Sequence, residues 1–313
     1  MLELDAGIRR VTFALPLGID HVHCYLLPAS DGGWTVVDTG LGLPDAAERW
    51  GRIVDELGAP VTSIVITHFH PDHVGAAADV AALTGAPAHQ GADDYDQCVR
   101  TWGEPRNEER MPEYLRVHGV PASDVESFRQ EAAAFVRFVR FARDPVLLAA
   151  GDLVEGWEVL HLPGHADGHL ALLRDGILVA GDTLLAAITP NVGLYPDSRP
   201  DPLGDYLGSL ERIAELAPRL ALPGHGEVIE DPAGRARELI AHHAERLEHT
   251  VEALDGRPQS AYAISFLLFP DPLSPTLRRF ALAETRAHLE YLVRRHSARR
   301  VDEAERVSYA AAG

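Results

Sequence analysis

Three imidazoles and a carboxylate are packed into six residues, His68-Phe69-His70-Pro71-Asp72-His73, directly after the apolar run Ser63-Ile64-Val65-Ile66-Thr67. A β-branched run of this kind reads as a buried strand, so the cluster leaves that strand's carboxyl end. Imidazole nitrogen and carboxylate oxygen are the donors that a borderline cation such as zinc prefers. Pro71 stiffens the loop and lowers the entropy lost when donors are fixed. A polar surface loop would have no counterpart downstream, whereas a metal centre requires other strand ends to bring further donors to it.

Three such counterparts follow. His165 lies in Pro163-Gly164-His165-Ala166-Asp167-Gly168-His169 after the strand-like 157–162, Asp182 in Gly181-Asp182-Thr183 after 177–180, and His225 in Pro223-Gly224-His225-Gly226. Each time an apolar strand is followed by a glycine that lets the chain turn and then by a ligand-type side chain. Layered α/β proteins place their sites where such loops converge over strand ends.

With these seven side chains in this order, and Val36-Val37-Asp38-Thr39-Gly40 ahead of them, the chain resembles the metallo-β-lactamase-fold hydrolases over roughly residues 10–230. The resemblance implies an α/β fold, a four-layer αββα sandwich, holding two divalent metal ions. One ion would be held by His68, His70 and His165, the other by Asp72, His73 and His225, with Asp182 bridging. Zinc is the default, and iron or manganese fits the same donors. The complete His/carboxylate set favours the dinuclear hydrolase type over the lactamase type, in which cysteine often replaces one ligand; Cys24 and Cys98 fall at no such position. Two ions sharing a water lower its pKa to roughly 7, so the expected nucleophile is a metal-bridging hydroxide, with Asp72 as the catalytic residue that orients it. Asp38 corresponds to the family's carboxylate that accepts a hydrogen bond from a ligand imidazole; a plain turn residue before Thr39-Gly40 is the compatible alternative. In lactone-hydrolysing relatives a tyrosine near Tyr195 assists the carbonyl oxygen, which makes Tyr195 a catalytic candidate and, failing that, a packing aromatic.

Residue inventory removes competing chemistries. All 28 basic residues are Arg, so Schiff-base lysines and a Walker-type phosphate lysine are excluded. No G-x-S-x-G elbow or H-E-x-x-H helix occurs, and Gly40-Leu41-Gly42 is too short for a dinucleotide loop. The net charge is −19. Residues 231–313 carry twelve Arg against twelve acids, so the whole excess lies in residues 1–230, with sixteen Arg against thirty-five acids. A catalytic region that acidic repels polyphosphate, which weighs against nucleic acid as a partner. Two distant Cys, an acidic N-terminus and no apolar run near the ~20 residues that span a bilayer predict a cytoplasmic protein without membrane attachment.

Along the 313 residues, strands are expected at 11–15, 22–27 and 34–37, helices at 45–57 and 74–83, then strands over 157–222 with a helix at 203–216. The expected domains are residues 1–230, a catalytic unit with a helical insertion at about 90–150, and residues 231–313, a helical, winged-helix-like unit. His21 and His23 share one strand face and either line the site or pack. In the insertion, Ser123-Asp124-Val125-Glu126 is a capping box, and Phe128, Ala132, Phe135, Val136 and Val139 recur at helical spacing. That helix packs on the body, packs on a twin subunit in a homodimer, or forms a lid with an apolar wall for an acyl chain. The tail predicts helices at 233–254, 260–268 and 277–295 and a β-wing at 299–309, with His242, His243 and His249 on the surface. This tail is similar to the extension of a subgroup that includes β-lactamase-like protein 2 and fungal polyketide thioesterases. Arg294, Arg295, Arg299 and Arg300 either contact RNA or form a solvated helix end.

The expected function is therefore metal-dependent cleavage of an acyl bond in a small molecule, with thioester first, as in the glyoxalase II-type relatives, then ester or lactone. A ribonuclease of the same fold and a non-catalytic module that kept its metals are the alternatives.

Overall fold

The computed structural model describes residues 1–16, 19–103, 110–303 and 305–312, and of residues 131–134 the backbone alone. Strands β1 (Leu2–Glu3), β2 (Arg9–Ala14), β3 (His21–Pro28), β4 (Trp34–Val37), β5 (Val61–Ile66), β6 (Ala88–Gly91) and β7 (Val146–Leu148) lie side by side in one sheet. A second sheet contains β8 (Leu153–Val154), β9 (Trp157–His161), β10 (Leu170–Arg174), β11 (Ile177–Gly181) and β12 (Leu220–Pro223). Side chains alternate between two apolar faces. Val65, Ile177 and Val179 enter the core between the sheets, whereas Ile64, Ile66, Leu178 and Ala180 enter the outer cores. That period of two is what a sheet covered on both faces demands.

Helices α1 (Ala46–Leu57), α2 (Pro71–Val74) and α3 (Ala77–Thr84) cover the first sheet. The insertion contributes α4 (Ala92–Trp102), α5 (Arg110–Val117) and α6 (Ala122–Val136), and α7 (Pro202–Leu216) with α8 (Pro232–Ala253) covers the second sheet. The four layers match the expected αββα sandwich. The helix expected over 74–83 is instead two pieces broken at Gly75-Ala76. A Cβ on Gly75 would lie 2.2 Å from Pro71 O, and its carbonyl accepts from Arg140 N at 2.7 Å. The break leaves α2 as a single turn that carries Asp72 and His73.

The C-terminal segment adds α9 (Ala261–Leu268), α10 (Pro275–Arg294) and a three-stranded sheet in which β13 (Gln259–Ser260) and β14 (Ala298–Glu303) flank β15 (Arg306–Ala311). The expected wing is the β14–β15 hairpin. Two corrections concern the insertion. Ser123 does not cap α6, because the helix already begins at Ala122 after Pro121, and Ser123 Oγ turns to Asp124. Val139 lies beyond the helix, in a stretch where Phe138, Val139 and Phe141 pack on the first sheet's outer core. Helices α5 and α6 pack against the tail and do not stand free of the body. Tyr114, Leu115, Val120, Val125 and Phe128 share one core with Leu254, Leu282, Leu289 and Tyr309, so insertion and tail form one lobe.

A third correction concerns His243, which is fully buried because Ala236, Leu239 and His243 fall on the stripe of α8 facing the second sheet and α10. The tail arginines are mostly engaged. Arg295 donates to Tyr291 O and pairs with Asp201, Arg294 donates to Pro200 O, and Arg300 pairs with Glu290 and Asp302. Among the described residues no helix is long and apolar enough to cross a membrane.

Candidate metal centre

Every sequence-predicted donor lies at one end of the sandwich. β4 delivers Asp38, β5 delivers His68–His73, and the loops after β9, β11 and β12 deliver His165, Asp182 and His225. Backbone bonds lock these loops, across the two sheets at Leu170 N to Thr67 O (2.8 Å) and His23 N to Gly224 O (2.7 Å) and within the second sheet at Gly224 N to Gly181 O (2.8 Å). Gly224 allows the loop to approach closely, since a Cβ there would sit 2.3 Å from Asp182 Oδ1 and 2.7 Å from His73 Cε1.

The donor atoms of His68, His70 and His165 lie within 4.8 Å of one another, as do those of Asp72, His73 and His225. Asp182 sits between the two triads. Its Oδ2 is 3.6 Å from His165 Nε2 and 3.2 Å from His225 Nε2, and its Oδ1 is 3.5 Å from His73 Nε2.

Outer contacts set which nitrogen faces inward, because a carbonyl or carboxylate can only accept. His165 Nδ1 donates to Asn191 O (2.8 Å), His225 Nδ1 to His21 O (2.6 Å) and His73 Nδ1 to Asp38 Oδ2 (2.8 Å). Each imidazole thereby turns its Nε2 into the cluster. Thr67 Oγ1 donates to Asp38 Oδ2 and so can accept from His68 Nδ1 at 3.0 Å, while His68 Nε2 faces His70 Nδ1 at 3.0 Å. Asp38 also accepts from Thr67 N at 2.8 Å and holds a left-handed φ of 60° to do so. It is both the turn residue and the imidazole's partner.

Charge and burial divide the cluster. Burial, reinforced by the neighbouring imidazoles, holds His68 well below the ordinary histidine range, and burial takes His70 down to about 3. Burial also lowers His165. These three stay neutral with lone pairs available. For His73 and His225 burial is outweighed by the charge of Asp182 and its neighbours, which raises His73 well above its usual range and His225 to about 10. Burial likewise loses to the charges of His73 and His225 at Asp72, which is held down to about 2. Such a carboxylate cluster demands compensating positive charge. Buried His73 Nε2, His165 Nε2 and Asp182 Oδ1 have no hydrogen-bond partner. An unsatisfied buried polar atom costs about 1–3 kcal/mol, and three converging on one space fit coordination to cations.

Sequence reasoning missed two supports. His169 is buried, stacks on His68 at 4.8 Å and accepts from Asp182 N at 3.1 Å. Asp94 is buried, accepts from Phe69 N at 3.0 Å and from Gln90 Nε2 at 2.6 Å, and has its carboxyl pushed up to about 7 by burial. His169 carried a local signal, four residues after His165; Asp94 carried none. His21 and His23 brace the His225 loop, His21 Nε2 accepting from Gly226 N (3.0 Å) and His23 Nε2 donating to Gly226 O (2.8 Å). The Tyr195 hydroxyl donates to Asn191 Oδ1 at 3.3 Å, behind His165.

Two clusters of His and carboxylate donors around a shared aspartate, set at the loop end of an αββα sandwich, define a metal-dependent hydrolase framework. The chain belongs to the metallo-beta-lactamase superfamily, whose model matches residues 17–225, and the metallo-beta-lactamase-like C-terminal domain matches residues 247–311. It is 29% identical over 295 residues to the probable metallo-hydrolase YqjP of Bacillus subtilis, covering 88% of this chain and 89% of that one. Similarity to the beta-lactamase-like protein 2 homolog of Drosophila melanogaster is 26% over 263 residues, covering 82% and 76%. Among solved structures, the metallo-beta-lactamase family protein TTHA1429 from Thermus thermophilus superposes with a TM-score of 0.84 at 37% identity, covering 97% of this chain and 98% of that one. A beta-lactamase domain protein from Burkholderia ambifaria gives 0.88 at 30%, covering 99% and 94%. Membership supports a metal-dependent hydrolase.

Proposed function

We propose that this chain hydrolyses an acyl bond in a small molecule at a dinuclear metal site, with thioesters as the leading substrate class and esters and lactones next. The observation that carries this reading is the position of Asp182 between two complete donor triads. His68, His70 and His165 would hold one ion, Asp72, His73 and His225 the other, and Asp182 both. Divalent ions bound there supply Lewis acidity toward the acyl oxygen and ionise water near neutral pH. Zinc is the first choice for this donor set. The fold also accommodates paired iron, since TTHA1623, related at 24% identity with a TM-score of 0.51, was solved in a di-iron-bound form.

Asp72 stays ionised through neutral pH, so its carboxylate can accept a hydrogen bond from the attacking water and orient it. Burial raises the Tyr195 phenol, which therefore remains a donor; turned from Asn191 toward a substrate it would bond the acyl oxygen. The acidic catalytic domain and the engaged tail arginines support a small-molecule substrate over nucleic acid. The test is a panel of acyl-CoA, acyl-glutathione, aryl ester, lactone and phosphodiester substrates on protein of known metal content. Thioester turnover should be fastest, and Asp72→Ala should lower kcat by about 10²–10⁴-fold, a larger loss than its loss of metal content. Turnover confined to the phosphodiester would replace this reading.

A further inference from the structure

Helix α10 is almost entirely buried where it crosses the loop 191–195, with Leu282, Ala283, Ala287 and Leu289 inside. Polar residues are buried there too, Thr285, Arg286, His288 and Glu290 among them, and Glu284 is the one whose side chain meets the loop at Asn191. Among the described residues it forms no ion pair. Its Oε2 accepts from Asn191 Nδ2 at 3.0 Å. A leucine would fill the same volume without the penalty of burying a carboxyl. The loop is fastened to α10 by Leu194 N to Ala283 O (3.0 Å) as well, so Glu284 is not needed merely to dock it.

Asn191 connects the lobe to the site. Its amide donates to Glu284 at 3.0 Å and, more distantly, to Phe280 O at 3.4 Å, its Oδ1 accepts from the Tyr195 hydroxyl, and its own carbonyl accepts the Nδ1 proton of His165 at 2.8 Å. We propose that Glu284 is a positioning residue for the His68–His70–His165 triad, acting through Asn191, so that the C-terminal lobe sets the affinity of one of the two ions. This rests on the metal reading of the site. The mechanism is geometric: an acceptor on α10 fixes the Asn191 side chain, the fixed residue fixes its carbonyl, and the carbonyl fixes the imidazole with Nε2 inward. Among the described residues no comparable path leads from the lobe to His225, whose outer partner is His21 on β3.

Zinc titration against a competing chelator, together with melting of the metal-free protein, tests this. Wild-type protein should show two sites, and failure there overturns the metal reading itself rather than this inference alone. Given two sites, Glu284→Leu and Asn191→Ala should each weaken one site by about tenfold, the lower end for removal of an outer partner, and leave the other unchanged. Glu284→Gln, which keeps an acceptor, should stay within about twofold of wild type, and the Glu284→Leu/Asn191→Ala double variant should be no weaker than Asn191→Ala alone. Metal-free Glu284→Leu should melt no lower than metal-free wild type. Unchanged affinity at both sites in Asn191→Ala, fully additive losses, or equal losses in the Leu and Gln variants would overturn the proposal. If Glu284→Leu does not fold, the Gln and Asn191→Ala arms decide by the same criteria.

Discussion

At the scale of single residues, Asp38 does more than one job: its backbone makes the turn after β4 at positive φ, and its carboxylate orients His73 while anchoring Thr67. Asp38→Asn keeps the shape but can present an amide to His73, so metal affinity should fall by about 10–100-fold in a chelator competition. An unchanged affinity would make Asp38 a turn residue only. The seven candidate ligands were legible in the chain because each sits within a few residues of a strand end, beside a glycine or in the histidine cluster. Their supports were not. Asp94 meets Phe69 across 25 positions and Glu284 meets Asn191 across 93, and such contacts follow from packing that no local pattern encodes.

Among the elements, strands and helices with clear periodicity fell where the pattern put them, and the exceptions have packing causes. Trp50 on α1 is wholly buried and donates its indole N–H to Thr39 O at 2.8 Å, tying the helix to the Asp38 turn. Trp50→Ala should destabilise the chain by about 3–5 kcal/mol in denaturant unfolding. Of the three histidines of α8, His243 was misassigned as surface because three polar residues in one helix look solvated, while the stripe that includes His243 is fixed by α7 and α10. Burial, with the charges of His288 and His242, depresses His243 to about 3. A depressed histidine contributes full stability above its unfolded value of 6.5 and loses it as pH falls toward 3. Metal-free His243→Phe should therefore gain on wild type below pH 6, approaching a tenfold shift in the folding equilibrium per pH unit. Parallel melting curves of the two proteins between pH 7 and 4 would contradict that burial.

For the whole molecule, the sandwich holds the donors at one end, and the lobe built from α5, α6 and the tail reaches that end through α10. The resemblance made the sandwich readable; the union of insertion and tail was not, because α5, α6 and α10 find one another only in three dimensions. The central claim is a two-ion centre with Asp182 shared between both triads. Elemental analysis of purified wild-type protein and Asp182→Ala, each reconstituted with zinc and freed of excess, tests it most directly. Two ions per wild-type chain and fewer than one in the variant are predicted; a wild-type chain that retains none, or a variant that keeps two, would contradict the account.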